Sequence, residues 1–260
     1  MCVWCMASIY AVIGTLLAER REELHQLEEI VGGEMPVLTA RIWSQRTQPP
    51  GFSHTYNLLI NAAFADPECE FVWVLNDDVS LLVVDLKRAE RTMRSDPTIG
   101  VVFPTEIWSE EEAVLMPWGE RETVTMMPFT GERVSEHEAR HREPELVEQI
   151  FAGFACCLIR RAAWEAVGPL ETFGLGYSED ADWGVRCWKA GFRVVNDRRA
   201  FFMHERGATF NALVKVGVMK AEDPYKAADR LKDKWPFFWG KLSAEESMAV
   251  LKGWYEEARR

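Results

Sequence analysis

The sequence is short of positive charge. Its 30 Lys and Arg face 41 Asp and Glu, a formal net charge of −11, and no Lys/Arg-rich block interrupts that balance. Binding to a nucleic-acid backbone rests on clustered cations, so a nucleic acid is disfavoured as the main partner. Long apolar runs are also missing. The opening "MCVWCMASIYAVIGTLL" is hydrophobic, but it is too short to span a bilayer and lacks the basic flank of a secretion signal. The six cysteines, Cys2, Cys5, Cys69, Cys156, Cys157 and Cys187, follow no regular spacing, which does not suggest a disulfide framework and makes reduced thiols the simpler reading. Cys2 and Cys5 have no second Cys or His pair with which to close a zinc site. No internal repeat and no low-complexity tract is present. These absences together predict a cytoplasmic protein with reduced thiols and no membrane span.

What the sequence does contain is enough apolar material for a large core: 48% of 260 residues are hydrophobic. "SIYAVIGTLL" (8–17) predicts a buried strand, and "AERREELHQLEEIV" (18–31) an amphipathic helix stopped by Gly32-Gly33. "PVLTARIW" (36–43) is a further strand. "QRTQPPGFS" (45–53) is a loop, and "SHTYNLLINAAFA" (53–65) a helix with Ser53 as its cap. "FVWVL" (71–75) is short and wholly apolar, as a strand covered on both faces must be. "VDLKRAERTMRS" (84–95) returns to helix and "IGVVFP" (99–104) to strand. Strands separated by helices imply βαβ units, an α/β class and a mostly parallel sheet. Residues 105–150 are rich in Glu, Arg and His with weak periodicity, and predict a long excursion over the working face. Strand and helix resume at 151–168, two strands follow at "FRVVND" and "RAFFMHE", and the chain is helical from about 210. The expected division is a domain over 8–210 and a C-terminal helical extension over 211–260 packed on it.

Three stretches could carry chemistry. In "FVWVLNDDV" (71–79) the apolar strand runs into Asn76-Asp77-Asp78. Ligands of open α/β sheets bind beyond the carboxyl ends of strands, and two adjacent carboxylates favour a cationic neighbour such as a hard divalent ion carrying a diphosphate. Asn-Asp-Asp is equally good turn chemistry, and the stretch alone leaves both readings open. "SEDADWGVR" (178–186) crowds Glu179, Asp180 and Asp182 at a helix start. Acids cap helix N-termini, Asp182 and Arg186 are spaced for an i,i+4 ion pair, and Glu179 or Asp180 could act as a base. In "AFFMHERGATF" (200–210), His204 ends an apolar strand. It is either a structural histidine or the imidazole that completes a carboxylate metal site. His137 and His141 are four apart with no third ligand nearby, and read as surface.

In order and spacing these pieces resemble an inverting glycosyltransferase of family 2 with the GT-A fold. "GFSHTYNLLINAA" (51–63) is similar to the family's Gly-Phe-x-x-x-x-Asn-x-x-x-x-Ala-Ala segment, "FVWVLNDDV" to its strand ending in an Asp-x-Asp-type motif, and "IGVVFP" to the strand after it. The block from "GFACCLIRR" through "GYSEDADWGVRCWKAGF" to "RAFFMHERGA" resembles the family's C-terminal block, and "LKDKWP" (231–236) a Lys-Trp feature that follows it. "SEDADWGVR" is also similar to the matching block of bacterial galactofuranosyltransferases, with a rhamnosyl-type likeness beside it.

The resemblance implies Mn²⁺ or Mg²⁺ held by Asp78 and His204, a nucleotide-diphosphate sugar donor, and a glycan, lipid-linked or protein acceptor. It implies Asp180 as the catalytic base with Glu179 beside it. Thr15, Asn57, Asn76, Asp77 and Gly153 are implied on the donor side. The sequence departs from the pattern after the second strand, where "WSQRTQ" (43–48) holds no acid to read the nucleotide, leaving Ser44, Gln45 or Arg46 as substitutes. Two rivals compete with this reading: a metal-dependent nucleotidyltransferase, for which no Gly-rich phosphate loop follows strand one, and a non-catalytic nucleotide-sugar binding module.

Overall fold

The computed structural model describes residues 8–15, 35–41, 51–106 and 145–204, and 211–260 except 212, 213, 216, 218, 221 and 236–241. The expected helix at 18–31, the "WSQRTQ" stretch, His137, His141 and most of the 105–150 excursion lie outside them.

The strands are β1 (Ile9–Thr15), β2 (Val37–Arg41), β3 (Phe71–Asn76), β4 (Val79–Val83), β5 (Ile99–Glu106), β6 (Leu146–Glu148), β7 (Cys156–Arg160) and β8 (Arg193–His204). They form one sheet in the order β2-β1-β3-β7-β5-β8-β4, with β6 paired to β8. The α/β class is observed with strand direction more mixed than the alternation of helix and strand implied. β1 runs parallel to β2 and β3, and β5 to β8. β7 enters reversed between β3 and β5, and β4 and β6 are reversed against β8. A two-residue turn cannot make a parallel crossover, so the chain leaving β3 at Asp77-Asp78 has to reverse into β4.

The expected pair of strands at 192–205 is one strand, β8, with a local irregularity. Against β5 the register passes from Pro104↔Asp197 to Thr105↔Phe201. Pro104 has no N–H for the ladder, and the extra β8 residues bulge beside it.

Side chains alternate between two apolar layers, as a pleated strand requires. Phe71, Trp73 and Leu75 of β3 and Cys156 and Leu158 of β7 enter one layer. Val72, Val74, Cys157 and Ile159 enter the other. β3 is therefore buried on both faces, which accounts for its unbroken apolar run.

The second layer is covered by α1 (Phe52–Phe64), α3 (Arg161–Val167), α4 (Glu179–Lys189), α5 (Asp223–Lys234) and α6 (Ala244–Ala258). The first carries α2 (Leu86–Ser95), through Leu86 and Met93. Asp85 caps α2 by accepting from the Arg88 N–H at 2.9 Å, and Ser243 with Glu246 forms a capping box on α6.

Ser53 is not the cap of α1. Gly51 holds that position at φ 78°, with no side-chain bond, and the Ser53 hydroxyl donates to the Glu171 carbonyl at 3.0 Å. A Cβ on Gly51 would lie 3.2 Å from the Leu175 backbone. Glycine is thus required twice there, by conformation and by space.

Candidate active site

Three strand ends meet at one edge of the sheet. Asn76 closes β3 beside Gly14 of β1, with Thr15 one residue further along β1. The turn Asp77-Asp78 follows, and Val79, the first residue of β4, pairs with His204, the last of β8. Residues 76–78 and 204, far apart in the chain, are brought together by sheet register. The Asn-Asp-Asp stretch is indeed a turn, but its acids are not the solvated acids of an ordinary turn. Asp77 is 6% exposed, and so is the Asp78 side chain.

His204 Nε2 lies 3.0 Å from Asp78 Oδ1, yet Asp78 Oδ1 has no hydrogen-bond partner among the described residues. Asn76 Nδ2 stands 3.4 Å from the same ring nitrogen, and Glu106 Oε1 is 4.0 Å from His204 Nδ1. Two electron-rich atoms at this separation repel unless positive charge lies between them, from a proton on the imidazole or from a bound cation. Adjacent ligands of an octahedral divalent ion, each about 2.1 Å from it, lie about 3.0 Å apart. Asp78 and His204 therefore fit as two neighbouring ligands of such an ion. Among the described residues no group of three or more His, Cys, Asp or Glu is arranged to hold a metal unaided. The rest of the shell would fall to phosphate oxygens and water.

The second element is the N-terminus of α4. Tyr177 and Ser178 precede it at φ 77° and 71°, a left-handed conformation that costs L-residues about 1–2 kcal/mol each. It is held from both sides: the Phe52 N–H donates to the Leu175 carbonyl at 2.8 Å, and the Asp182 N–H to the Ser178 carbonyl at 3.0 Å. The strained turn delivers Glu179 inward, 5% exposed, with Oε2 lacking a hydrogen-bond partner among the described residues. Burial, reinforced by the neighbouring Asp180 charge, pushes the Glu179 carboxyl up to about 8. Its buried position therefore favours the neutral form. Asp180 is half-buried, and its Oδ1 accepts from the Ala181 N–H at 2.8 Å.

Electrostatics tie the two elements together. Burial raises the Tyr177 phenol to about 12, and the charges of Glu179 and Asp78 both add to that rise. Burial raises the Tyr56 phenol as well, and Asp77, then Asp78, add to it. The Cys157 thiol, raised first by burial and then by Cys156, also feels Asp180. An acid at the end of β3 and one opening α4 thus act on one common group, the Tyr177 phenol.

The other expected residues lie differently. Both ends of the Asn57 amide engage the Leu170 backbone, at 2.9 and 2.8 Å, so Asn57 clasps the 170 loop to α1. A Cβ on Gly153 would meet no atom of the described residues within 4 Å. Asp182 is structural, as its spacing suggested: fully buried, it pairs with Arg186 Nε at 2.8 Å. It also accepts from Trp235 Nε1 at 2.9 Å and pairs with Lys234 Nζ at 2.6 Å.

Sequence reasoning did not find Tyr56, Tyr177 or Glu106. Tyr56 looks like any core aromatic of an amphipathic helix, and nothing in the one-dimensional pattern marks its hydroxyl. No helix among the described residues is long and apolar enough to cross a membrane.

The model of a family described as "Glycosyltransferase like family 2" matches residues 25–217. No curated protein matches the chain in sequence. Among solved structures, A197 from STIV aligns with a TM-score of 0.50 at 12% identity, over 76% of this chain and 85% of that one. That is a likeness of fold. GalNAc-T7 with UDP, GalNAc and Mn²⁺ aligns at a TM-score of 0.49 and 12% identity, over 98% of this chain and 55% of its own. The mannosyltransferase PcManGT from Pyrobaculum calidifontis, in complex with GDP-Man and Mn²⁺, aligns at 0.48 and 13%, over 97% and 84%.

Proposed function

The chain belongs to the glycosyltransferase-like family 2, and from that premise we propose that it moves a sugar from a nucleotide-diphosphate donor to an acceptor hydroxyl. The transfer is a single, configuration-inverting displacement that depends on Mn²⁺ or Mg²⁺. The fold is of the GT-A class, with its site at the carboxyl ends of β1 and β3. The domain spans 8–210, and the helices of 211–260 extend it.

Asp78 and His204 would hold the ion. When bound, the ion supplies positive charge against the charge that builds on the departing diphosphate. Asn76 and Asp77 orient the ribose and phosphates beside it, and Thr15 and Gly153 line the donor's approach. Asp180 accepts the proton of the acceptor hydroxyl as the new bond forms. Glu179, whose neutral form burial favours, leaves that role to Asp180. With one acid of the pair neutral, the acceptor meets a single negative charge. The protein acts in the cytoplasm, on a glycan, lipid-linked or protein acceptor.

The observation that carries the reading is the 3.0 Å approach of His204 Nε2 to Asp78 Oδ1 where β8 meets the β3–β4 turn. The test is release of nucleoside diphosphate from a panel of nucleotide sugars, with Mn²⁺ and with EDTA. The "SEDADWGVR" block makes UDP-galactofuranose and dTDP-rhamnose the first donors to try. Release with at least one donor, abolished by EDTA and restored by Mn²⁺, is expected. Undiminished release in EDTA rules out the metal, and no release from any donor rules out the transfer.

A further inference from the structure

Five large hydrophobic side chains are exposed among the described residues: Leu58, Leu82, Leu146, Tyr177 and Tyr225. Only Tyr177 of these has a left-handed backbone, at φ 77°. Glycine takes that conformation without strain and an aromatic residue does not, and the chain has glycines close by, Gly174 and Gly176. The ring that this strain supports is 40% exposed, so the core gains only part of it. Strain kept for a half-covered side chain points to work outside the core.

The turn is tied to the site. Its Leu175 carbonyl accepts from the Phe52 N–H at 2.8 Å, and a Cβ on Gly176 would lie 3.9 Å from Phe52 Cβ. The Phe52 ring lies against the Tyr56 ring, with centroids 4.3 Å apart, and the Tyr56 hydroxyl donates to the Leu75 carbonyl at 2.6 Å. The backbone on which Tyr177 stands is thus joined, contact by contact, to the carboxyl end of β3. The phenol in turn feels the charges of both Glu179 and Asp78.

In a single displacement the base and the departing diphosphate lie on opposite sides of the reacting carbon. A side chain within reach of an acid from each end stands beside the sugar that passes between them. A sugar ring has an apolar face of C–H groups bordered by hydroxyls, and a half-exposed phenol ring offers it a flat apolar surface. Glu179 Oε2, buried and without a hydrogen-bond partner among the described residues, is a polar atom for a sugar hydroxyl to satisfy.

We propose that Tyr177 is a specificity-determining residue whose ring packs against the face of the sugar being transferred. The proposal rests on the transferase reading above. It assigns the ring, and not the phenol hydroxyl, to that contact.

The test is isothermal titration calorimetry of the full chain with Mn²⁺, comparing each nucleotide sugar with its parent diphosphate. The pairs are UDP-galactofuranose and UDP, dTDP-rhamnose and dTDP, and GDP-mannose and GDP. The diphosphate lacks the sugar, so it reports the donor site without the proposed contact. Tyr177→Asn and Tyr177→Gly remove the ring and hold a left-handed turn more easily than tyrosine does. Each is expected to weaken binding of the preferred nucleotide sugar about tenfold and to leave its parent diphosphate within about twofold. Tyr177→Phe should leave both within about twofold. Equal losses for nucleotide sugar and diphosphate would mean that Tyr177 only shapes the turn, which overturns the proposal. So does a loss in Tyr177→Phe as large as in Tyr177→Asn, which moves the contact to the hydroxyl. A wild-type protein that binds no nucleotide sugar removes the transferase reading and this proposal together. Normal wild-type binding with unmoved variants removes this proposal alone.

Discussion

Glu179 offers a perturbation whose size follows from its surroundings. Its carboxyl is buried beside Asp180 and held at about 8 instead of 4.5. A folded-state value raised above the unfolded one means the folded form keeps its proton while the unfolded form loses it. The stabilising contribution is complete below about pH 4.5, falls as pH rises, and is gone above about pH 8. Between pH 6 and 9 this one group should cost the protein about 3 kcal/mol of folding free energy, from ~1.4 kcal/mol per pH unit over the range in which only the unfolded state has ionised. Glu179→Gln keeps the shape and cannot ionise, so it should escape that loss. Urea unfolding of both proteins at pH 6 and pH 9 measures it. The variant's advantage over wild type should grow by about 3 kcal/mol between the two conditions. An advantage that is equal at both pH values would show that Glu179 ionises normally, and that its assignment as the protonated member of the pair is wrong.

Three further outcomes follow from the same contacts. Asp78→Asn and His204→Ala should each abolish metal-dependent donor turnover, with Mn²⁺ affinity reduced more than about 100-fold since these are ligands and not their partners; retained fold by circular dichroism separates this from collapse. Asp182→Ala removes the buried partner of Arg186, Lys234 and the Trp235 N–H, leaving the two cations to the exposed Glu171, and should cost about 1–3 kcal/mol in urea unfolding, where Lys234→Met, which leaves Arg186 in place, costs less. Gly184→Ala puts a methyl group 2.6 Å from Phe151 Cα and 2.8 Å from the Ile150 carbonyl; backbone cannot swing aside as a side chain can, so the variant should lose about 3 kcal/mol or more, read as a fall in melting temperature.

The elements visible in the sequence were those whose cause is local. β3 declared itself because a strand covered on both faces has no polar position, and Asn76-Asp77-Asp78 stood out as the polar stop at its end. The Asp182–Arg186 pair followed from helical spacing. Strand direction was not visible, because "ACCLIRR" has the same apolar pattern whichever way β7 enters the sheet, and the reversal depends on what it pairs with. Pro104 hid the continuity of β8, since its missing N–H makes a bulge and not a strand end. At the candidate site, Asp77, Asp78, Glu179, Asp180 and His204 were singled out by residue type, and register with the strained turn at Tyr177-Ser178 gives them their relative placement. Lys234 and Trp235 were noted only as a motif. Their tie to Asp182, 52 and 53 positions away, is a contact that no periodicity encodes. The Asn57 amide, which its motif implies on the donor side, also secures a loop, because Leu170 offers it a backbone donor and acceptor at once.

Asp180→Asn tests the account most directly. Titration of the variant with Mn²⁺ and a turned-over donor, alongside a transfer assay, should find nucleotide-sugar binding within about twofold of wild type and turnover reduced by at least about 100-fold, the low end of what a positioned base contributes. Turnover at the wild-type rate in a variant that binds donor normally would contradict it, since the acceptor's proton would then be leaving by a route that does not involve the acids at the head of α4.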